Sequence, residues 1–305
     1  MSKRAVKIIL AVTMLFVILC SCILEHYGEF ERLMNYAGLT DVYAEDRFKF
    51  YVHFYDVGQG DCSIISYDKH CVVIDGGEKI NGKELYRYIR KLGYKKVDCI
   101  IATHPHSDHI GGLIYLVNHI EADFIVIPVI PDSLMSDADY YDEFTIAVQN
   151  SSAQVIYISE VQDLQYGGIN LTLIPGILTD NMNNCSLVTK LNFQNISVLF
   201  CADIETECEN YLIQSGIDLS ADVIKVPHHG SDSSSSDAFI NTVKPKYAII
   251  SDLLNNSYGH PDKAVMKRYK DIGAEIYRTD IYGNVILESD GDEINMIVER
   301  NFHEQ

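Results

Sequence analysis

The feature that most constrains this chain is a run of metal-binding residue types, Thr103–Gly112, with the sequence THPHSDHIGG. It follows Val97–Ala102, a mostly apolar segment of strand length, so the run starts where a buried strand is expected to end. Imidazole and carboxylate ligands suit zinc first, and manganese or iron second. The alternative is a polar loop that is rich in histidine by chance. The later chain argues against that alternative because it supplies further ligands.

The spacing within this run sorts its side chains into two positions. His104 and His106 alternate, so both can face the same way from an extended backbone. Asp108 and His109 begin a predicted helix, which turns them toward a second position. Gly111–Gly112 lets the backbone pack tightly behind the site.

Five further short motifs follow the same order as in one known family. They are Phe54–Asp61 (FYDVGQGD), Val73–Gly77 (VIDGG), Ala202–Asp203 (AD), His228–Ser231 (HHGS) and Tyr258–Pro261 (YGHP). Together with the histidine run, they resemble the metallo-β-lactamase fold family, and within it the hydrolase domain of ComEC-type DNA-uptake proteins. The resemblance covers roughly residues 48 to 290, so it is much more specific than a single short pattern.

The resemblance implies a centre with two metal ions. In it, His104 and His106 hold the first ion, and Asp108 and His109 hold the second. Asp203 ends a strand at the place of the family's bridging carboxylate, a role compatible with capping the helix that follows. We expect two divalent ions, Zn²⁺ with Mn²⁺ as the alternative.

The same resemblance assigns supporting residues. Either His228 or His229 completes the second site, and we favour His228. Asp75 resembles the family's aspartate that orients a ligating imidazole. Asp56 is a second candidate for such work, and a turn-forming role is the alternative for both Asp56 and Asp61.

The first site departs from the wider family. Most members supply a third histidine ahead of the bridging aspartate, whereas Asn183–Ser186 (NNCS) stands there, as in the ComEC-like branch. An asparagine oxygen, a water or His260 then completes the site. We expect His260 to contact substrate or protonate the leaving group, and we name it with Asp108 as the catalytic residues; the alternative is that His260 caps the next helix. Ser231–Ser236 either binds phosphate or, as we favour, is a flexible loop.

The remaining pattern indicates two strand-rich halves with outer helices. We predict an α/β fold, a metallo-β-lactamase-like four-layer αββα sandwich. Gln194–Asn195 marks a two-residue hairpin, and Pro261–Lys270 a helix with proline in its first turn. Ser133–Asp142 is predicted to be a mobile loop before a short helix, and its Tyr140 and Tyr141 are candidate substrate contacts or, as we favour, surface residues.

The N-terminal region has the composition of a targeting or anchoring segment. Three basic residues precede the uncharged run Ile8–Leu24, which suits a signal peptide or membrane anchor over residues 1–24. A lipoprotein-like processing box ends at Cys22; the alternative is an uncleaved anchor with its positive end in the cytoplasm. In both cases a tether over residues 25–47 leads to the hydrolase domain, residues 48–300, outside the membrane.

Charge bears on the choice of substrate. The chain has 24 Lys and Arg against 43 Asp and Glu, a net charge of −19. Such a surface repels nucleic acid and anionic membranes unless a local patch reverses the field. The densest basic group lies between Lys83 and Lys96, on and after a predicted outer helix. The eight cysteines include no Cys-x-x-Cys pair, so mostly free thiols are expected, with a disulfide left open.

These features together predict an extracytoplasmic metal-dependent hydrolase that is membrane-anchored, lipidated or secreted. The expected activity is that of a phosphodiesterase in which two metal ions activate water. Its substrate is a phosphodiester in a small molecule or a cell-surface polymer, as in the choline-phosphate esterases of the same branch. The alternatives are a competence-related DNA nuclease, which the charge disfavours, and a non-catalytic binding module, against which the retained ligand set argues.

Overall fold

The computed structural model describes residues 49–135 and 140–300, which form two β-sheets and the helices around them. The strands are β1 Phe50–Phe54, β2 Ser63–Tyr67, β3 His70–Ile74, β4 Lys96–Ile101, β5 Glu121–Pro128, β6 Gln154–Ile158, β7 Gln162–Tyr166, β8 Ile169–Pro175, β9 Leu187–Phe193, β10 Ile196–Phe200, β11 Val223–Lys225, β12 Tyr247–Ile250, β13 Glu275–Arg278, β14 Val285–Ser289 and β15 Ile294–Val298. The helices are α1 Gly82–Lys91, α2 Ser107–His119, α3 Asp132–Met135, α4 Tyr141–Asn150, α5 Thr206–Ser215, α6 Asp237–Val243, α7 Lys263–Asp271 and α8 Thr279–Tyr282.

Each sheet has a parallel half and an antiparallel half. The first sheet has the order β15-β14-β1-β2-β3-β4-β5-β6, and the second β13-β12-β11-β10-β9-β8-β7. Strands β3 to β6 run parallel in the first sheet, and β10 to β13 run parallel in the second. The carboxyl ends of the parallel strands therefore share one edge in each sheet, where loops can carry functional side chains.

The main core lies between the two sheets, as the aromatic contacts show. Phe50 of the first sheet stacks on Phe193 of the second with ring centroids 4.5 Å apart. Val198 and Phe200 of β10 belong to this core. Because side chains alternate along a strand, Leu199 between them faces away from it and packs with Phe239 and Tyr269 of the outer helices. On the first sheet's side, α2 packs against α4. The four-layer αββα prediction is confirmed.

Several local predictions agree with the structure and others differ. The hairpin at Gln194–Asn195 is present between β9 and β10, and the six cysteines of the described part are buried free thiols. Strands β6, β7, β8 and β13 and helix α6 were not predicted. Much of the described part of Ser133–Asp142 is helical, in α3 and the start of α4. Helix α7 is capped by Asp262, which accepts a hydrogen bond from the Ala264 amide at 2.6 Å, so Pro261 precedes the cap.

The predicted targeting segment, residues 1–24, and the tether, residues 25–47, lie outside the described residues and stay predictions. The same holds for the domain boundary at residue 48. Within residues 49–135 and 140–300, no helix combines the length and the apolar character needed to cross a membrane.

Candidate metal centre

The candidate ligands meet where parallel strands of both sheets end. β4 ends at Ile101 and leads into the histidine run at the start of α2. In the second sheet, β10 leads to Asp203 and β11 leads to His228–His229. The sequence supplies this geometry because each ligand follows a buried apolar strand at its carboxyl end. The site is thus assembled from both halves of the chain.

The first ligand group consists of His104, His106 and Asp203, whose ligand atoms all lie within 4.8 Å of one another. Nε2 of His104 and Nδ1 of His106 are 3.0 Å apart. Nε2 of His104 is 3.9 Å from Oδ2 of Asp203. The structure therefore brings together the residues that were predicted to serve the first ion.

The second group consists of Asp108, His109 and His229. Nε2 of His229 lies 3.4 Å from Oδ2 of Asp108 and 3.5 Å from Oδ2 of Asp203. Nε2 of His109 lies 3.3 Å from Oδ1 of Asp203. The two oxygens of Asp203 therefore approach both groups, which is the placement expected of a bridging carboxylate.

The unsatisfied polar atoms at this point fit divalent ions. Nε2 of His109, Nε2 of His229 and Oδ1 of Asp203 are buried without a hydrogen-bond partner in the described part of the chain. Leaving a buried polar atom unpaired costs about 1–3 kcal/mol, so such a cluster indicates a missing partner. Nitrogen and oxygen donors in this arrangement suit zinc or manganese.

Neighbouring groups fix the orientation of the second group's imidazoles. Asp75 is buried and accepts hydrogen bonds from Nδ1 of His109 at 2.8 Å and from the Thr103 amide and hydroxyl at 2.9 and 2.7 Å. Nδ1 of His229 donates to the carbonyl of Ser251 at 3.0 Å. Both rings therefore turn Nε2 toward the centre, in the way that carboxylates and carbonyls orient metal-binding histidines.

Close backbone packing supports the run from behind. A Cβ atom on Gly112 would lie 2.0 Å from the carbonyl oxygen of Gly76, and one on Gly111 would lie 2.5 Å from the Lys79 nitrogen. No side chain fits at either position. This is the tight packing that the two glycines predicted.

The structure separates the two consecutive histidines after β11. Both have left-handed backbone angles, with φ of 49° at His228 and 52° at His229. His229 is buried in the second group, whereas His228 faces the cleft with Nε2 4.0 Å from Oδ2 of Asp203. Nδ1 of His228 lies 3.2 Å from the Ser233 hydroxyl. The geometry favours His229 as the ligand, because His229 and not His228 belongs to the second group; the choice between the two stays a prediction.

Asn183 stands where the wider family places a third histidine for the first ion. It is buried, and its Nδ2 donates to Oε1 of Glu205 at 3.1 Å. Its Oδ1 has no hydrogen-bond partner within the described residues and the residue borders the same cleft. Of the predicted alternatives for completing the first site, the asparagine oxygen is supported by this buried, unsatisfied atom.

A cleft of about 290 Å³ opens onto both ligand groups. Its lining beyond the ligands consists of Gln59, Ser107, Asn183, His228, Tyr258 and His260. No lysine or arginine of the described ranges is among the lining residues. The charge of an anionic substrate would therefore be met by the centre itself rather than by basic side chains.

His260 lies on the wall of the cleft and is held there by its backbone. Oδ1 of Asn256 accepts from the His260 amide at 3.1 Å, and Nδ2 of Asn256 donates to the His260 carbonyl at 2.7 Å. The ring centroid of His260 is 5.8 Å from those of His228 and Tyr258. Because Asp262 caps α7, the alternative role of His260 as the helix cap does not apply.

The serine-rich loop beside the cleft is held firmly, contrary to the favoured prediction of a flexible loop. The buried carboxylate of Glu209 accepts hydrogen bonds from the Ser235 and Ser236 amides. Arg268 donates to the Ser235 carbonyl at 2.8 Å, and Ser234 is fully buried. A fixed loop keeps Ser233 in place beside His228.

Three other candidates take no part in the ligand groups. Oδ1 of Asp56 accepts from the Gly58 amide at 3.1 Å, which is its turn-forming alternative. Lys79 lies 4.6 Å above the ring of Tyr140. Neither Tyr140 nor Tyr141 is among the described residues that line the cleft.

Lys225 was missed as a residue of the site, and Asp61 was named from sequence without a partner. They form a buried ion pair at 2.8 Å beside His229. The signal that could have found them is a lysine inside Asp222–Val226, a segment predicted to be a buried strand. A charge at an inward-facing strand position needs a buried partner.

The two ligand groups differ in charge in the metal-free protein. Burial lowers the pKa of His104 and His106, so both are neutral near pH 7. Burial alone would also lower the pKa of His109 and His229, but Asp203 and the neighbouring carboxylates raise it well above the usual value. The second group therefore binds protons that a metal ion has to displace.

We expect divalent ions to release protons when they bind, and their affinity to fall as the pH is lowered. The raised pKa values of His109 and His229 mean that protons compete for both rings throughout the range below those values. Calorimetric titration of the metal-free protein in buffers of different ionisation enthalpy measures the number of protons released. The same apparent enthalpy in every buffer would contradict the expected release.

Comparison with known proteins gives the family. The sequence model of the Metallo-beta-lactamase superfamily matches residues 55–251, and the chain belongs to that superfamily. The solved metallo-beta-lactamase fold protein YhfI from Bacillus subtilis is similar with a TM-score of 0.53, at 15% identity over 79% of this chain and 99% of that one. The diiron β-hydroxylase CmlA from Streptomyces venezuelae is similar with a TM-score of 0.55, at 12% identity over 78% and 54%. At such identities both show the fold alone.

Competence proteins are among the relatives in sequence. ComE operon protein 3 of Bacillus subtilis is 30% identical over 257 residues, which are 77% of this chain and 32% of that protein. Competence protein ComA of Neisseria gonorrhoeae is 25% identical over 238 residues, 76% of this chain and 31% of that protein. The chain thus spans about a third of the length of these curated relatives. The resemblance to the ComEC-type hydrolase domain is confirmed.

Proposed function

We propose that this protein is a metal-dependent phosphodiesterase that acts outside the cytoplasm. The observation that carries the proposal is the pair of ligand groups that Asp203 approaches with its two oxygens, beside one cleft. Two divalent ions held there would polarise a phosphodiester and lower the pKa of a water molecule that they bind. The uncharged run Ile8–Leu24 after three basic residues supports a location on the outer face of a membrane.

The residues around the cleft have two proposed roles, metal binding and substrate contact. His104, His106, Asp108, His109 and His229 are the proposed ligands, with Asp203 as the bridge. His228 and His260 face the cleft from outside the ligand groups, where they can donate hydrogen bonds to the oxygens of a phosphodiester. Burial and the neighbouring histidines lower the pKa of His260, so it is mostly neutral near pH 7. This favours substrate contact over proton donation as its role.

The substrate that best suits the cleft is a single phosphodiester in a small molecule or at the end of a surface polymer. A nucleic acid strand requires a track of Lys and Arg along its phosphates, and the cleft lining has none among the described residues. In the densest basic group, Arg87 pairs with Glu84, and Lys96 pairs with Asp123 at 2.6 Å. The charges of Arg87 and Lys96 are therefore already compensated.

A competence-related DNA nuclease is the second candidate. The observation that favours it is the similarity to two proteins whose names tie them to competence, over about three quarters of this chain. A non-catalytic binding module is disfavoured because both ligand groups are retained and their unsatisfied atoms converge.

Substrate comparison on the purified full chain tests the proposal. We expect divalent-dependent hydrolysis of bis(p-nitrophenyl) phosphate, abolished by a chelator and restored by Zn²⁺ or Mn²⁺. We expect only weak binding of single-stranded DNA at about 0.15 M salt, where charge contacts are screened within about 8 Å. Tight binding and processive degradation of single-stranded DNA under those conditions would replace the first candidate with the nuclease. Full activity in chelator would refute both.

A further inference from the structure

Lys225 occupies a buried strand position, where an apolar side chain is expected. It is the last residue of β11, and only 2% of it is exposed. Val223 of the same strand belongs to the core between the sheets, while Ile224 belongs to the core under the outer helices. Since side chains alternate along a strand, Lys225 points between the sheets. A buried ammonium group there requires a reason other than core packing.

The ion-pair partner of Lys225 is Asp61, which belongs to a loop of the first sheet. Nζ of Lys225 lies 2.8 Å from Oδ1 of Asp61, in the loop between β1 and β2, and donates to the Val226 carbonyl at 3.0 Å. Asp61 is 5% exposed. A buried ion pair is often no more stabilising than apolar residues of similar volume, because both charges lose their hydration. The pair is therefore better explained by what lies next to it.

Asp61 is a third carboxylate within reach of the second ligand group. One of its oxygens, the ligand atom of His109 and one of Asp203 all lie within 4.8 Å of one another. Oδ1 of Asp61 is also 3.4 Å from Nδ1 of His229. Its backbone amide donates to the Asp108 carbonyl at 3.1 Å. Lys225 approaches this carboxylate more closely than His229 does, at 2.8 Å against 3.4 Å.

We propose that Lys225 is a positioning residue that keeps Asp61 beside the metal centre and out of its ligand set. The inference rests on the metal centre proposed above. With Lys225 present, Asp108, His109, Asp203 and His229 would hold the second ion, and the charge of Asp61 is compensated. Without Lys225, Asp61 would be an additional ligand and an additional negative charge next to the ions.

The proposal predicts that the two single variants change the affinity for divalent ions in opposite directions. Lys225→Met removes a positive charge and frees a carboxylate, so divalent ions should bind more tightly. Asp61→Asn leaves the ammonium group uncompensated next to the ions, so they should bind more weakly. Each of these changes in metal affinity should be at least about tenfold, because charges a few ångströms apart interact strongly in a protein interior. The double variant Asp61→Asn with Lys225→Met should return close to the wild-type affinity.

A merely structural ion pair would behave differently. Both single variants would then lose thermal stability, and their metal affinities would be unchanged or would fall together. Lys190→Met is the matched control, because Lys190 is another buried lysine of the second sheet whose partner Asp218 lies in no ligand group. It should lower thermal stability and leave metal affinity unchanged.

The experiment is a competition titration of the full-length metal-free proteins with Zn²⁺ and Mn²⁺ against a chelator indicator, with thermal unfolding in parallel. In Lys225→Met, the visible absorption of bound Co²⁺ should also weaken as a ligand is added. If that variant fails to fold, weaker binding by Asp61→Asn and its recovery in the double variant carry the same test. Affinities that move in the same direction in both single variants, or no recovery in the double variant, would overturn the role of Lys225. A wild-type protein that binds no divalent ion would instead overturn the metal centre.

Discussion

Asp203→Asn is expected to lower turnover of a phosphodiester by at least about a hundredfold, as is typical when a group that stabilises the reacting charge is removed. The oxygens of Asp203 are 3.3 Å from His109 and 3.5 Å from His229, and one lies 3.9 Å from His104. Without this carboxylate, the first ligand group loses a member and the second loses the oxygens that approach His109 and His229. Asparagine preserves the volume and leaves the apolar core untouched, so the variant should fold.

Turnover, metal content and thermal unfolding with and without metal together test this expectation. Metal should raise the unfolding temperature of the wild-type protein, because an ion that binds only the folded state stabilises it, and this gain should shrink in Asp203→Asn. Asp218→Asn is a suitable control, since that residue pairs with Lys190 outside the ligand groups. Unchanged turnover by a metal-free Asp203→Asn protein would remove Asp203 from the mechanism.

His229→Ala and His228→Ala are expected to differ sharply although the two residues are neighbours. His229→Ala should lose the second ion, with a fall in affinity greater than the roughly 10- to 100-fold seen when a residue that only orients a ligand is changed. His228→Ala should keep its full metal content and lose turnover, because His228 faces the cleft.

Elemental analysis of the two variants separates these roles. The ratio of metal to protein should fall in His229→Ala alone, and the Michaelis constant or turnover number should change in His228→Ala with both ions present. Loss of metal from His228→Ala with full retention in His229→Ala would restore the sequence-based preference for His228.

Most of the candidate site was predictable because its residues are fixed by short-range patterns. His104 and His106 alternate on an extended segment, and Asp108 and His109 begin a helix, so local geometry alone separates the two groups. The choice between His228 and His229 was not predictable in this way. It depends on two consecutive left-handed backbone conformations, which no alternation or helical spacing indicates.

The missed strands have a related explanation. β6, β7 and β13 are the outermost strands of their sheets, and their residues are largely half-buried or exposed, so they lack the apolar signal of a central strand. β8 is the exception, since Ile169, Leu171 and Leu173 alternate and are buried. Lys225 could be recognised as unusual from sequence, but its partner Asp61 comes from a distant loop.

The division of the ligands between the two halves of the chain has a consequence for biosynthesis. His104 to His109 are made early, whereas Asp203 and His229 follow only after several more strands. A nascent chain that ends before β11 thus has the histidine run but not the complete centre. Closing so long a loop carries an entropic penalty that an ion bound to both halves helps to offset. A metal ion held by both halves would therefore act as a late cross-link, and its loading would be completed only after the C-terminal half has emerged and folded.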